Sequence, residues 1–202
     1  MSRIGSFLIV VLWGINLVGC SLFPSRAPDL LVAHDFGPMR THTIVRSEGF
    51  VLVRVKSPSW LDRTSIHYRL LYQDPTALHI YADNRWIAPP TALLEARIRA
   101  HLGSGPTQGA HTNQRRDRLT VVLSRFDQNF SAPDKAFVHV AMEGRLYSVT
   151  TGRLLATKII NLRRPCAPDA QGAVEGLSAL ARTASVAFAQ FTRQYEDETP
   201  KD

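Results

Sequence analysis

The chain has 202 residues, of which 24 are basic and 17 acidic, so its formal net charge is +7 at pH 7. This length and the 45% share of hydrophobic residues fit one domain of ordinary size with a hydrophobic core. The basic excess favours anionic partners, such as lipid headgroups or acidic protein surfaces.

The first 19 residues have the pattern of a lipoprotein signal peptide. A basic start precedes an apolar run over residues 4–18, which is shorter than the roughly 20 residues of a membrane-spanning helix. The run ends in Leu17-Val18-Gly19-Cys20, the pattern at which a signal peptide is cut before a lipid-modified cysteine. We therefore predict a bacterial lipoprotein whose mature chain begins at Cys20, with covalent lipid on this residue and no other cofactor.

The residues after Cys20 predict where the protein lies. Ser21 takes the position at which an Asp retains lipoproteins at the inner membrane, so the outer membrane is expected, with the domain facing the periplasm. Nucleic acid is not expected as a partner there. Residues 20–29 form a lipidated tether, and its nine residues after the cysteine reach at most about 30 Å. Only Cys166 then remains, so no intramolecular disulfide is expected.

Strand patterns open the domain, which we place at residues 30–195. Short apolar or alternating segments predict strands over residues 30–36, 50–56, 66–72 and 78–81. The connections between them are too short for crossover helices, which favours antiparallel hairpins.

An amphipathic helix is then predicted from Pro89-Pro90-Thr91 to about Leu102, with Gly103 as its C-terminal cap. Its apolar stripe predicts a helix lying on the sheet. The polar stretch from Gly103 to Asp117 is predicted to be a long loop.

Three more strands are predicted over residues 119–127, 136–148 and 153–162. A long helix follows, with Asp169 as its N-cap and one continuous apolar face that ends at Tyr195. Residues 196–202 form a polar tail. The predicted fold class is α+β, with a mostly antiparallel sheet and two main helices packed on it.

No motif for catalysis or metal binding is present in the sequence. The seven histidines do not have metal-ligand spacing, and neither a nucleophile elbow nor a phosphate-binding loop occurs. Cys166 has no recognisable base nearby, so an inert thiol is favoured over a reactive one. We expect no catalytic residues, no metal and no enzymatic activity.

Three apolar residues are candidates for contact with a partner or a lipid: Trp60, Leu61 and Trp86. The alternative is that each tryptophan fills an end of the hydrophobic core, as most tryptophans do. The core interpretation is favoured, and whether Trp60 is exposed stays open.

The motifs Val53-x-Val55-x-x-Pro58-x-Trp60-Leu61-Asp62, Ile66-x-Tyr68-Arg69-Leu70 and Tyr81-Ala82-Asp83-x-Arg85-Trp86-x-Ala88-Pro89-Pro90 resemble the ABC-type transport auxiliary lipoprotein family, the PqiC-like proteins. The second half is similar to the same family through Leu123-x-x-Phe126-x-Gln128-x-Phe130, Thr151-Gly152-x-Leu154-Leu155-Ala156 and Pro168-Asp169-Ala170. The resemblance covers nearly the whole mature chain in the same order.

This resemblance implies a role in lipid transport systems built around mammalian-cell-entry (MCE) domain proteins. The lipoprotein would dock the periplasmic MCE protein of an ABC transporter and assist transfer of phospholipid or a related lipid between membranes. The alternative is a structural envelope lipoprotein that stabilises an outer-membrane complex without handling lipid. The lipid, the direction of transport and the formation of a homo-oligomer stay open.

Overall fold

Residues 30–38, 50–103 and 116–198 are described by the computed structural model. The predicted signal peptide, Cys20 and the tether up to residue 29 lie outside these residues, as does residue range 104–115 of the predicted loop. The described residues from Leu31 onward belong to one compact unit.

Seven strands and two helices make up the described part of the chain. Their order is β1 (Val32–His34), β2 (Phe50–Lys56), β3 (Ser65–Leu70), β4 (His79–Trp86), α1 (Pro90–Leu102), β5 (Arg116–Ala132), β6 (Lys135–Ser148), β7 (Leu154–Cys166) and α2 (Ala170–Glu198). Strand β2 has the predicted bounds, whereas β5 and β7 extend beyond theirs. The α+β class is confirmed.

The 17-residue strand β5 is the centre of the sheet. Strand β6 pairs with one of its edges in antiparallel orientation along nearly its whole length. On the other edge β2 lies parallel to residues 116–122, and β3 lies parallel to residues 127–130. Residues 57–64 connect β2 to β3, so these two strands follow one another along a single edge of β5.

The prediction of a mostly antiparallel sheet is wrong, because the sheet is mixed. Its order is β1-β4-β3-β5-β6-β7, with β2 beside β5. Three strand pairs are parallel (β1–β4, β2–β5 and β3–β5), and three are antiparallel (β3–β4, β5–β6 and β6–β7). Closely spaced β2 and β3 do not form a hairpin because each pairs with β5, which comes later in the chain.

A bulge in β5 changes which side chains face the core. The register with β6 shifts between Leu123 and Arg125. Before the shift, Leu119 and Leu123 are buried, and after it Phe126 is buried. Because strand side chains alternate between faces, the extra residue moves the core side from odd to even positions.

Both helices pack on one face of the sheet. Helix α1 contacts β2 and α2, and α2 contacts β5, β6 and β7. As predicted, α1 ends at Gly103, which has φ 64° and donates its backbone N–H to Ala100 O and Arg99 O. The Asp169 carboxylate accepts the backbone N–H of Gly172 at 2.6 Å, which confirms the N-cap of α2.

Neither described helix has an apolar stretch long enough to cross a membrane. The face of the sheet opposite α1 and α2 carries no described helix. We call it the open face.

Helix α2 approaches the sheet most closely where β6 has a glycine. A Cβ atom added at Gly144 would overlap the ring of Phe188, which is fully buried. The aromatic ring therefore occupies the space that any side chain at this position would need.

We expect Gly144→Ala to lower the free energy of unfolding by about 1–3 kcal/mol, because the new methyl group overpacks the core. Urea denaturation would measure the change. Adding Phe188→Leu should cost less in the Gly144→Ala background than in the wild type, because the smaller side chain makes room for the methyl group. Equal stability of Gly144→Ala and wild type would contradict this account of the contact.

Candidate functional site

The open face is built from rows of side chains that run across three or four strands. Paired residues on neighbouring strands point to the same face, so the register defines each row. Three successive rows are Leu52-Arg118-Tyr147, Arg54-Thr120-Arg145-Thr157 and Lys56-Val122-Glu143-Ile159. The residues between them on β2 and β5, such as Val53 and Val121, are buried against the helices.

These three rows combine exposed aliphatic side chains with cations. Leu52 is 43% exposed, Val122 37% and Ile159 76%. The cations of the rows are Arg54, Lys56, Arg118 and Arg145, and we call them, with the three aliphatic side chains, the basic patch. The patch is apolar enough to contact a non-aqueous surface and basic enough to attract an anionic one.

One carboxylate lies within these rows, and it is already paired. Glu143 Oε1 accepts a hydrogen bond from Arg145 Nε at 2.6 Å. This bond raises the pKa of Arg145. Arg118 lies over the Tyr147 ring at 5.4 Å. The unpaired charge that the basic patch presents is therefore positive.

A polar row lies further along the same face. It consists of His67, Asp127, His139 and Arg163, which are paired in register across β3, β5, β6 and β7. The first three of these side chains are buried although they point away from the helices. Together with their hydrogen-bonding neighbours they form a compact network on the open face.

Asp127 is the centre of this network, and its side chain is only 2% exposed. Its Oδ2 atom accepts hydrogen bonds from Arg69 Nε at 3.1 Å and from Arg125 Nη2 at 3.3 Å. Its Oδ1 atom accepts one from Asn129 Nδ2 at 2.9 Å. A buried carboxylate is tolerated when it is paired and hydrogen-bonded in this way.

Two imidazole rings flank the carboxylate. Burial lowers the pKa of His67, and it does so against the opposing effect of Asp127. Burial also lowers the pKa of His139, whose Nε2 is 2.8 Å from Asn161 Oδ1. The Nδ1 atom of His67 is buried and has no hydrogen-bond partner in the described structure. Both rings are therefore held neutral at pH 7.

The structure separates the three predicted contact residues. Trp60 is 39% exposed and lies on the open face, where its ring meets the His67 ring edge to face at 5.8 Å between centroids. Leu61 and Trp86 are buried in the core, and Trp86 packs edge to face on Phe36. A buried side chain cannot meet a partner, so the contact hypothesis narrows to Trp60, and the core interpretation holds for Trp86.

The connection between β2 and β3 carries Trp60 and is held in place by two sets of hydrogen bonds. The backbone N–H groups of Leu61 and Asp62 both donate to Pro58 O, which closes a tight turn. Asp62 Oδ1 accepts a hydrogen bond from the Thr91 hydroxyl at the start of α1. With Leu61 inserted into the core, this turn presents Trp60 in a defined position.

Arg97 is a structural residue that the sequence analysis missed. It lies on the buried side of α1 next to Ile98, and its Nη2 donates to Phe36 O at 2.8 Å and to Gly37 O at 2.6 Å. The sequence feature that could have revealed it is an arginine within the apolar stripe of a helix, because a buried cation needs a hydrogen-bonding partner. These bonds hold the segment after β1 against the core.

Cys166 is not set up as a nucleophile. Burial raises the pKa of its thiol, against the opposing hydrogen bond from Gln128 Nε2 at 3.3 Å. The same Gln128 nitrogen donates to Ala167 O at 2.8 Å, so this side chain mainly orders the entry to α2. Across residues 30–38, 50–103 and 116–198, no group of His, Cys, Asp or Glu side chains is arranged to hold a metal ion.

The neutral histidines predict a pH dependence of stability. The pKa values of His67 and His139 are lowered by folding, so the unfolded chain binds more protons as the pH falls below about 6.5, and stability must fall with it. We expect the urea midpoint of the wild type to decrease over this range. The double variant His67→Asn/His139→Asn should show a flatter profile.

The control is His79→Asn, which leaves both buried imidazoles in place and should keep the pH dependence of the wild type. Identical pH profiles for the wild type and the His67→Asn/His139→Asn variant would contradict the assignment.

The family described as the ABC-type transport auxiliary lipoprotein component matches residues 38–194 of this chain. A crystal structure of a Xanthomonas campestris protein, described under the family DUF330, is similar with a TM-score of 0.63 at 16% identity, over 74% of this chain and 86% of that one. A crystal structure of an uncharacterized protein is similar with a TM-score of 0.56 at 18% identity, over 75% of this chain and 96% of that one. No curated protein matches the chain. At these identities the two structures establish a common fold.

Proposed function

Because the chain belongs to the family of ABC-type transport auxiliary lipoprotein components, we propose that it is the accessory lipoprotein of an MCE-type ABC transport system. In this role it docks the periplasmic MCE protein and assists lipid transport between the two membranes. The observation that carries the proposal is the family match, which covers residues 38–194 and so nearly all of the domain.

The chemistry of the described residues supports a role in binding and positioning. The thiol of Cys166 is kept protonated by burial. His67 is paired in register with Asp127, but the two carboxylate oxygens of Asp127 accept hydrogen bonds from Arg69, Arg125 and Asn129. The Nδ1 atom of His67 has no partner in the described structure, so this carboxylate does not orient the ring through Nδ1 for base catalysis. Energy for transport would come from the ATPase of the system, and the lipoprotein contributes a fixed docking position.

Capture of the MCE protein encoded beside this chain tests the docking role. The detergent-solubilised mature lipoprotein is immobilised and the MCE protein is applied at several salt concentrations. We expect saturable capture, because an accessory component must hold the periplasmic partner at the membrane. A lipoprotein of another family, immobilised at the same density, is the control, and absence of capture in every detergent and salt would contradict the proposal.

Native mass spectrometry of the captured complex tests the lipid-handling part. We propose that phospholipid copurifies with the complex at a level above that of the MCE protein alone. Capture of the MCE protein without this additional lipid would favour the structural alternative, in which the lipoprotein stabilises an envelope complex and does not handle lipid.

The proposed location is the outer membrane, with the domain facing the periplasm. We expect wild-type protein in the outer-membrane fraction of a sucrose gradient, with a mature chain that begins at a lipidated Cys20. Cys20→Ala should leave the precursor uncut and absent from that fraction, because the acceptor thiol is lost. Ser21→Asp is the companion variant and should move the protein to the inner-membrane fraction. Wild-type protein in the inner-membrane fraction would contradict the outer-membrane location.

A further inference from the structure

We propose that the basic patch docks on the anionic phospholipid headgroups of a bilayer, so that the open face of the domain lies on the membrane to which Cys20 fastens it. This inference goes beyond docking of the MCE protein. It rests on the arrangement of cations, aliphatic side chains and one exposed tryptophan on a single side of the sheet.

The shape of the patch suits a bilayer. Its rows span β2, β5, β6 and β7, which are neighbours in one sheet, and adjacent strands lie about 4.8 Å apart. The patch is thus about 15 Å wide across its four strands. A surface of this width can bring several side chains to a lipid interface at the same time.

The chemistry of the patch also matches headgroups. Arg54, Lys56 and Arg118 are exposed and supply positive charge, whereas the carboxylate of Glu143 is paired with Arg145. Each basic residue near an anionic membrane contributes about 1 kcal/mol of attraction, which corresponds to about a fivefold change in binding. At the β7 end of the row that begins with Lys56, Ile159 is 76% exposed, so the same surface can enter the interfacial layer.

Trp60 adds an exposed amphipathic side chain to the open face, beyond the basic patch. Its indole is 39% exposed, and its neighbour Leu61 fixes the turn in the core. Tryptophan favours the headgroup region because its ring is amphipathic. A partly exposed indole beside a basic and aliphatic surface is the composition of a peripheral membrane contact.

Because the lipid anchor would already hold the domain near the bilayer, a weak contact of the basic patch is enough to keep the open face on the membrane. Eleven residues lie between Cys20 and Val32 in β1, so the two are at most about 40 Å apart along the extended chain. A tether of this length keeps the open face at a high effective concentration near the bilayer. An acidic protein surface could also pair with the cations. The open face, however, combines them with the exposed Ile159 and with Trp60, an amphipathic side chain that favours the headgroup region. The combination therefore favours lipid.

Vesicle binding of the mature chain carrying Cys20→Ser tests the surface without the acyl chains. This chain keeps the compact unit from Leu31 onward with the whole described core. We expect binding to vesicles that contain phosphatidylglycerol, little binding to phosphatidylcholine vesicles, and weakening of the binding as the salt concentration rises.

The double variant Arg54→Gln/Lys56→Gln should lower the partition coefficient about 25-fold. The matched control Arg182→Gln/Arg193→Gln removes the same charge from exposed positions on α2 and should change it by less than about twofold.

Fluorescence gives a second readout, because the mature chain has two tryptophans, of which Trp86 is buried and Trp60 is partly exposed. Phosphatidylglycerol vesicles with brominated acyl chains should quench the emission of the wild type, and Trp60→Phe should abolish the quenching while Trp86 continues to emit. Circular dichroism checks that each variant is folded.

Several outcomes would overturn the proposal. They are no binding to phosphatidylglycerol vesicles, equal losses for the two double variants, and emission that brominated lipid does not quench. Loss of MCE capture in Arg54→Gln/Lys56→Gln, with vesicle binding intact, would assign the patch to an acidic protein surface instead. Failure of MCE capture by the wild type alone would overturn the docking function and leave the membrane contact standing.

Discussion

The bulge in β5 determines what the two faces of the sheet carry. With one extra residue between Leu123 and Arg125, the odd-numbered side chains before it and the even-numbered ones after it share the helix-facing side. Without it, Asp127 would point into the hydrophobic core and Phe126 into solvent. The free energy of burying a carboxylate there would amount to several kcal/mol. The core and the polar network of the open face therefore depend on the same irregularity.

The polar network shows how a sheet face without helices can still be ordered. Asp127 is shielded from water by residues that also neutralise it, among them Arg69 and Arg125. The apolar stems of such arginines cover buried polar groups while their guanidinium heads stay near water. His67 and His139 then add bulk without adding charge, because burial keeps them neutral. Trp60 packs on this network through the ring of His67.

Most of the elements could be predicted from sequence, since periodicity and caps are local signals. Two helix ends show this. Gly103 allows the left-handed backbone conformation that ends α1, and the Asp169 side chain accepts a backbone N–H at the start of α2. The strand pairing could not be predicted, because β2 and β3 pair with β5, whose position depends on contacts distant in sequence. The bulge, however, leaves a trace in the sequence. Apolar residues in this strand recur every second position, but Leu123 and Phe126 are three positions apart. The burial of Trp86 and the exposure of Trp60 depend on the same long-range packing, so the sequence left them open.

The segment that would follow the proposed lipid anchor is firmly joined to the domain. Strand β1 pairs with β4, and the chain after β1 is fixed by Phe36, which packs in the core, and by Arg97, which binds its carbonyl oxygens. Under the proposed lipidation of Cys20, the tether would therefore hold a segment that is itself attached to the core. It would keep the domain within reach of the bilayer, which raises the effective concentration of the open face there. An auxiliary protein can contribute to transport through this restriction of position.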